Sequence, residues 1–294
     1  MTSAVEAFFL TPAAGAGSRF CIHHAPLATP ARGLVLYVHP FAEEMNKARR
    51  MAALQARAFA RAGFAVLQLD LLGCGDSSGD FGDATWDGWV DDIVTAARWL
   101  AERYRANAPP LWLWGLRAGC LLATAARPRI AAPCNLLFWQ PPLSGGPLLR
   151  QFLRLKTLGD TAGGAARSNT DALRSELAAG KSIEIAGYRL SPALASGMDE
   201  ARLDPPAAGC GGLWWLELSH RTDAVLSQAS LEAVAAWRRA GCDVQAEVVA
   251  GPAFWQTVEI EQAPLLIERT INALCDGFAS TRRQPRHDVA PASA

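Results

Sequence analysis

The segment Gly115-Leu116-Arg117-Ala118-Gly119 offers a geometry for chemistry but not the usual group to carry it. The apolar run Leu111-Trp112-Leu113-Trp114 reads as a strand entering it, and the small-residue run from Cys120 to Ala126 reads as a helix leaving it. A strand that turns sharply into a helix, with small residues two positions either side of the tip, is how a serine, cysteine or aspartate is presented as a nucleophile. Here the tip is Arg117, whose guanidinium is permanently protonated, has no attacking lone pair and cannot form an acyl intermediate. The start of a helix already carries positive partial charge, so a cation is disfavoured there. Such a turn also strains a non-glycine residue by about 1–3 kcal/mol. Both costs call for a neighbouring anion. Glu43, Glu44 and Asp223 are internal candidates; a ligand carboxylate or phosphate, held by Arg117 with helix amides such as that of Ala118, is the other solution.

A nucleophile on this turn is followed in chain order by an acid and then a histidine base. The acid position falls after the strand-like run Leu213 to Leu218, where Asp223 stands. The base position falls in Ala250-Gly251-Pro252-Ala253-Phe254-Trp255-Gln256-Thr257, which contains no histidine; Trp255 or Phe254 takes its place. The five histidines are His23, His24, His39, His220 and His287. His220, at a strand end, is the one candidate for a substitute base; the alternative is an ordinary hydrogen-bonded loop histidine. His39 opens the loop His39-Pro40-Phe41-Ala42, where an oxyanion would be held, and is expected to shape that loop rather than move protons. The candidate binding set is therefore His39, Phe41, Glu44, Arg117 and Ala118. Cys120 lies three residues past the tip, where a helix start can favour a thiolate but where burial against other side chains is the simpler expectation. Cys74, Ser77 and Ser78 read as turn chemistry.

These residues need a scaffold. Gly33 to His39, Phe64 to Asp70, Leu111 to Trp114, Asn135 to Trp139, Leu213 to Leu218 and Val244 to Val249 read as buried strands. Between them, Met51 to Arg61 and the segment opened by Thr85, with Trp86, Trp89, Val90, Ile93, Val94, Ala97 and Leu100 at helical spacing, read as helices. This alternation predicts right-handed crossovers and a mostly parallel sheet with helices on both faces, its site at the carboxyl ends of the strands. From Pro141 to about Ala208 the pattern weakens. Leu148 to Leu158, Asp171 to Ala179 and Ser191 to Leu194 read as short helices of an inserted cap. Residues 1–278 then form one domain with a cap at about 141–208, and 279–294 a polar, disordered tail.

With 294 residues, half of them hydrophobic, the chain can bury a sizeable core. Its 28 basic and 28 acidic residues leave no positive excess for nucleic acid. No run reaches the about 18 apolar residues of a membrane span, and the N-terminus lacks a basic, signal-like start; a cytoplasmic location is the expectation. Seven cysteines without a C-x-x-C pair read as buried reduced thiols, and no Cys/His spacing predicts a metal or cofactor.

Four motifs together resemble the exosortase A system-associated hydrolase 2 family of α/β-hydrolases. They are His39-Pro40-Phe41-Ala42-Glu43-Glu44-Met45-Asn46-Lys47, Asp70-Leu71-Leu72-Gly73-Cys74-Gly75-Asp76-Ser77, Trp114-Gly115-Leu116-Arg117-Ala118-Gly119 and Gly251-Pro252-Ala253-Phe254-Trp255. The resemblance runs from about Phe8 to Phe278. It implies the α/β-hydrolase fold and a setting beside exopolysaccharide synthesis and PEP-CTERM protein sorting. Fold does not fix chemistry, and this chain departs from the hydrolase pattern at two triad positions, Arg117 and Trp255. Two functions stay open. One is a hydrolase or acyl transferase on an ester or thioester, using a non-standard nucleophile or an activated water. The other is a non-catalytic protein that binds a small anionic molecule or a pathway partner.

Overall fold

The computed structural model describes residues 4–12, 17–162, 169–206 and 211–281. Among the described residues ten strands and eight α-helices follow in order: β1 (Val5–Leu10), β2 (Arg19–His24), β3 (Gly33–Val38), α1 (Glu43–Arg61), β4 (Phe64–Leu69), α2 (Trp86–Arg103), β5 (Leu111–Leu116), α3 (Ala118–Ala126) and β6 (Cys134–Trp139). Then come α4 (Gly145–Ala162), α5 (Thr170–Ala178), β7 (Ile183–Ile185), β8 (Tyr188–Leu190), α6 (Pro192–Glu200), β9 (Gly212–Ser219), α7 (Gln228–Arg239), β10 (Asp243–Ala250) and α8 (Pro264–Thr281). Eight strands make one sheet in the order β1-β2-β4-β3-β5-β6-β9-β10. The β1–β2 and β2–β4 pairs are antiparallel, and the pairs from β4 through β10 are parallel. This is the α/β-hydrolase fold expected from the motifs.

Period-two alternation divides each strand between two cores. Leu34, Leu36 and Val38 of β3 pack with α2, α3 and α7 on one face; Val35 and Tyr37 pack with α1 and α8 on the other. The chain leaves β3 for β4 on one side and reaches β5 on the other. The sheet order reverses there, so a crevice opens outside the carboxyl ends of β3 and β5. The segments that follow those two strands are His39 to Glu44 and the turn at Arg117.

Several differences from the sequence expectation have physical causes. α1 starts at Glu43, eight residues before Met51, because its first two turns are polar and their apolar stripe is sparse; the acidic pair Glu43-Glu44 suits a helix start. The β1–β2 hairpin was not foreseen, since β1 exposes much of its surface and lacks a clean alternation. α4 and α6 are longer than the runs read from sequence, and β7–β8 is a hairpin too short to announce itself. α8 continues to Thr281, past the expected boundary at 278; the rest of the predicted tail lies outside the described residues. Cys21, Cys74, Cys120, Cys134 and Cys275 are free, but Cys242 is disulfide-bonded, which corrects the expectation of thiols throughout. Spacing along a chain does not reveal which cysteines meet in space. Among the described residues, no helix is long and apolar enough to cross a membrane.

β2 buries two neutral histidines. His23 Nε2 lies 2.9 Å from the Tyr104 hydroxyl, and His24 Nε2 lies 3.0 Å from Gln68 Oε1. Burial, aided by the Arg103 charge, pushes His23 down to about 4; burial also lowers His24. Unfolded histidine titrates near 6.5, so below that pH the unfolded chain binds protons the folded chain refuses, and stability falls as the pH drops toward 4. For His23 the loss by pH 4 is on the order of 3 kcal/mol. Buried carboxyls raised above their usual range, such as Asp92, act in the opposite sense, so a difference measurement isolates the imidazole. The drop in urea midpoint between pH 7 and 4.5 is expected to shrink in His23→Gln. An identical pH dependence in both proteins would remove this account.

Candidate functional site

Arg117 sits at the tip between β5 and α3 with φ 54° and ψ −120°, a sparsely populated conformation for any L-residue. Two backbone bonds hold it there: its amide donates to Trp139 O at 3.0 Å, and its carbonyl accepts from the Cys120 amide at 2.9 Å. The flanking glycines are required by space. A Cβ on Gly115 would lie 2.6 Å from the Cys120 nitrogen, and one on Gly119 would lie 2.1 Å from the Val38 carbonyl oxygen. Ala42, at the start of α1, shares the same unusual region with φ 50° and ψ −125°. Gln140, after β6, has φ 47°, and its Oε1 accepts from the Leu218 amide at 2.7 Å. Three neighbouring strands thus end in backbone that the surroundings must hold in place.

The Arg117 side chain is largely buried and turns toward the loop after β3. Its Nε and Nη2 both donate to a single Glu44 oxygen at 3.3 Å, and Nη2 also donates to Gln151 Oε1 on α4 at 3.4 Å. The guanidinium carbon stands 5.8 Å from the centre of the Trp255 ring, a cation–π arrangement. Both bonds to Glu44 are long for a charged pair, for which about 2.7–2.9 Å is usual. Glu44 is buried, and burial pushes its carboxyl up while the Arg117 charge pulls it down. Glu43 is raised as well, again chiefly by burial. The space beside them, among Phe41, Glu43, Glu44, Leu148, Gln151, Phe152 and Met198, amounts to about 20 Å³, roughly one water. As N1 of α3, Ala118 presents an amide with no acceptor inside its own helix.

Not every predicted residue reaches this point. Asp223 is exposed, and both of its carboxylate oxygens accept from Arg221, at 3.0 and 2.9 Å. That pair holds Asp223 below its usual range; it is not among the groups touching Arg117. His220 is exposed on the same loop, and no hydrogen bond between it and Arg117 is found among the described residues. The loop after β9 turns outward to solvent, which chain order alone does not reveal. Trp255 does stand at the site, buried and packed edge-on to Phe254.

His39 is buried with both nitrogens engaged. Nδ1 donates to Pro40 O at 2.7 Å, and Nε2 accepts from the Leu71 amide at 3.3 Å. This fixes a neutral imidazole, whose basicity burial lowers further. It ties the loop after β3 to the loop after β4 and has no free lone pair. Cys120 is fully buried, its thiol directed at Trp139 O at 3.6 Å, and burial raises it well above an ordinary thiol. No thiolate forms there near neutral pH. Gln151 was not foreseen. It sits within α4, and a glutamine on a helix carries no sequence signal for reaching another element.

The family described as serine aminopeptidase, S33, matches residues 29–162. No curated protein matches the chain. Among solved structures, Est1E from Butyrivibrio proteoclasticus with bound ferulic acid is similar at TM-score 0.63 and 14% identity, covering 92% of this chain and 99% of that one. A thermostable carboxyl esterase from Bacillus coagulans in complex with glycerol is similar at TM-score 0.62 and 14% identity, covering 94% and 99%. Alpha/beta hydrolase domain-containing protein 10 from mouse is similar at TM-score 0.57 and 15% identity, covering 94% and 99%. These likenesses show the α/β-hydrolase fold.

Proposed function

We propose that the chain is a binding protein on an α/β-hydrolase scaffold, without serine-hydrolase turnover, whose Arg117 exchanges Glu44 for a carboxylate or phosphate of a small ligand. The observation that carries this reading is a guanidinium at the strained tip, with no serine, thiolate or histidine among its contacts with the described residues. Loss of both nucleophile and base from a working triad removes roughly 10⁶ in turnover. The pair with Glu44 is loose, and Gln151 would have to move with α4 to open the roughly one-water space. An arriving anion meets Glu43 and Glu44 as well as Arg117. Release from Arg117 raises the Glu44 carboxyl further, so anion binding is coupled to proton uptake there, and affinity is expected to rise as pH falls. The motif resemblance to the exosortase A system-associated group supports acyl-thioester and sugar-phosphate anions as the first ligands to try.

One observation favours a hydrolytic alternative: Glu44 is a buried carboxyl raised by its surroundings, a property that general bases share. In that reading Glu44 activates a water. Two assays separate the readings. Calorimetric titration with a sugar phosphate and an acyl-thioester anion at pH 6 and 8 is expected to show tighter binding at pH 6, lost in the double variant Arg117→Met, Glu44→Gln. Short p-nitrophenyl esters are expected to stay at the uncatalysed rate. Ester turnover abolished by Glu44→Gln alone would replace the binding reading with the hydrolytic one.

A further inference from the structure

A second cavity, of about 200 Å³, lies beneath α1 between β2, β3 and β4. It does not depend on the reading of Arg117. Its walls include Ile22, Met45 and Ala53, and its polar lining is Tyr37, Gln68, Arg49 and Asp70, with neutral His39 at one side.

The polar groups are unusual for the lining of a packing defect. Tyr37 is 5% exposed, and no hydrogen bond to its hydroxyl is found among the described residues. The hydroxyl is reached by a water-sized molecule from the cavity, so it is a donor open to a ligand's acceptor. Burial pushes the phenol up, which keeps it a neutral donor. Gln68 commits its carbonyl to His24, and no acceptor for its amide nitrogen is found among the described residues. Arg49 gives one nitrogen to Asp70 at 3.1 Å and another, at 3.5 Å, to Asn46. Its half-exposed side chain marks the mouth. Three donors therefore line a mostly apolar space, and Arg49, with Nη2 on Asp70 and Nε on Asn46, has no partner for Nη1 among the described residues.

We propose that this cavity binds a small apolar carboxylic acid, its carboxylate among Arg49, Tyr37 and Gln68 and its hydrocarbon part against Ile22, Met45 and Ala53. A cavity of about 150 Å³ takes benzene, so the occupant is of benzoate to octanoate size. His39 borders both this cavity and the loop that carries Glu44, so an occupant touches the group that fixes that loop.

The test is calorimetric titration of the full chain with octanoate, benzoate and octanamide. One-to-one binding of an acid is expected, with octanamide at least tenfold weaker, since it lacks the charge that Arg49 meets. Tyr37→Phe is expected to weaken the acid five- to tenfold, and Ala53→Trp, which fills the space, to abolish binding. Should Ala53→Trp fail to fold, Ala53→Leu serves with Tyr37→Phe. The double variant at Arg117 and Glu44 is expected to bind the acid as wild type does. No binding of either acid by wild type, equal affinity for octanamide, retained affinity in Tyr37→Phe and Ala53→Leu, or loss in the Arg117 double variant would each overturn the proposal.

Discussion

Gly119→Val is expected to leave no stable folded protein. The residue closes the turn at Arg117 where α3 runs against the end of β3. A Cβ there would stand 2.1 Å from the Val38 carbonyl oxygen and 2.9 Å from that of His39. Both are backbone atoms, the first at the end of β3 where Val38 pairs with Gly115 and the second in the loop that His39 fixes, so neither can yield as a flexible side chain would. Relief requires lifting α3 off the sheet, which separates Leu121 and Leu122 from the core beneath. Overpacking in a tight core typically costs about 1–3 kcal/mol. A backbone clash at two points, with loss of helix packing, puts the cost above about 4 kcal/mol, comparable with the whole stability of many domains. Soluble yield and urea unfolding check this. A soluble Gly119→Val with a wild-type midpoint would mean that α3 does not approach β3 as described.

The second large effect belongs to the buried pair. Arg117→Met removes the charge that pulls the Glu44 carboxyl down and leaves that carboxyl buried among Phe41, Leu148 and Phe152. Removing one member of a buried pair costs about 3–5 kcal/mol. Proton uptake by Glu44 limits the cost, so about 3 kcal/mol near pH 8 is expected. The sign with pH follows. The folded-state Glu44 is raised further by the substitution, so the penalty applies where the carboxyl is ionised and fades as pH falls toward 5. The double variant Arg117→Met, Glu44→Gln is expected to recover most of the stability, because no charge remains buried. Denaturant unfolding of the single and double variants at pH 5.5 and 8 measures both. A single variant equal to wild type at pH 8 would mean that the pair contributes nothing and that Glu44 is already protonated there.

Both effects act on the same few ångströms, yet they differ in how far the sequence announced them. Two small residues flanking a tip between an apolar run and a small-residue helix are a local pattern. The clash that makes them necessary repeats wherever a strand turns into a helix at that angle, so Gly115 and Gly119 were legible. Arg117 was legible for the same reason, and a cation at a strained helix start had to have an anion. Which anion was not legible. Glu43, Glu44 and Asp223 were equally acidic on paper.

What the chain determined by itself is the periodicity of its strands and helices, the turn at Arg117 and the absence of a histidine from the loop that holds Trp255. Each of these follows from steric or chemical properties of residues adjacent in sequence. Only the tertiary structure decided that Glu44 meets Arg117 while Asp223 turns out to Arg221, that Gln151 reaches in from α4, and that Tyr37 lines the cavity beneath α1. Those outcomes depend on where the switch in strand order brings loops together and on which groups burial removes from water. Contacts between residues 34 and 73 positions apart are set by packing, and no local spacing encodes them.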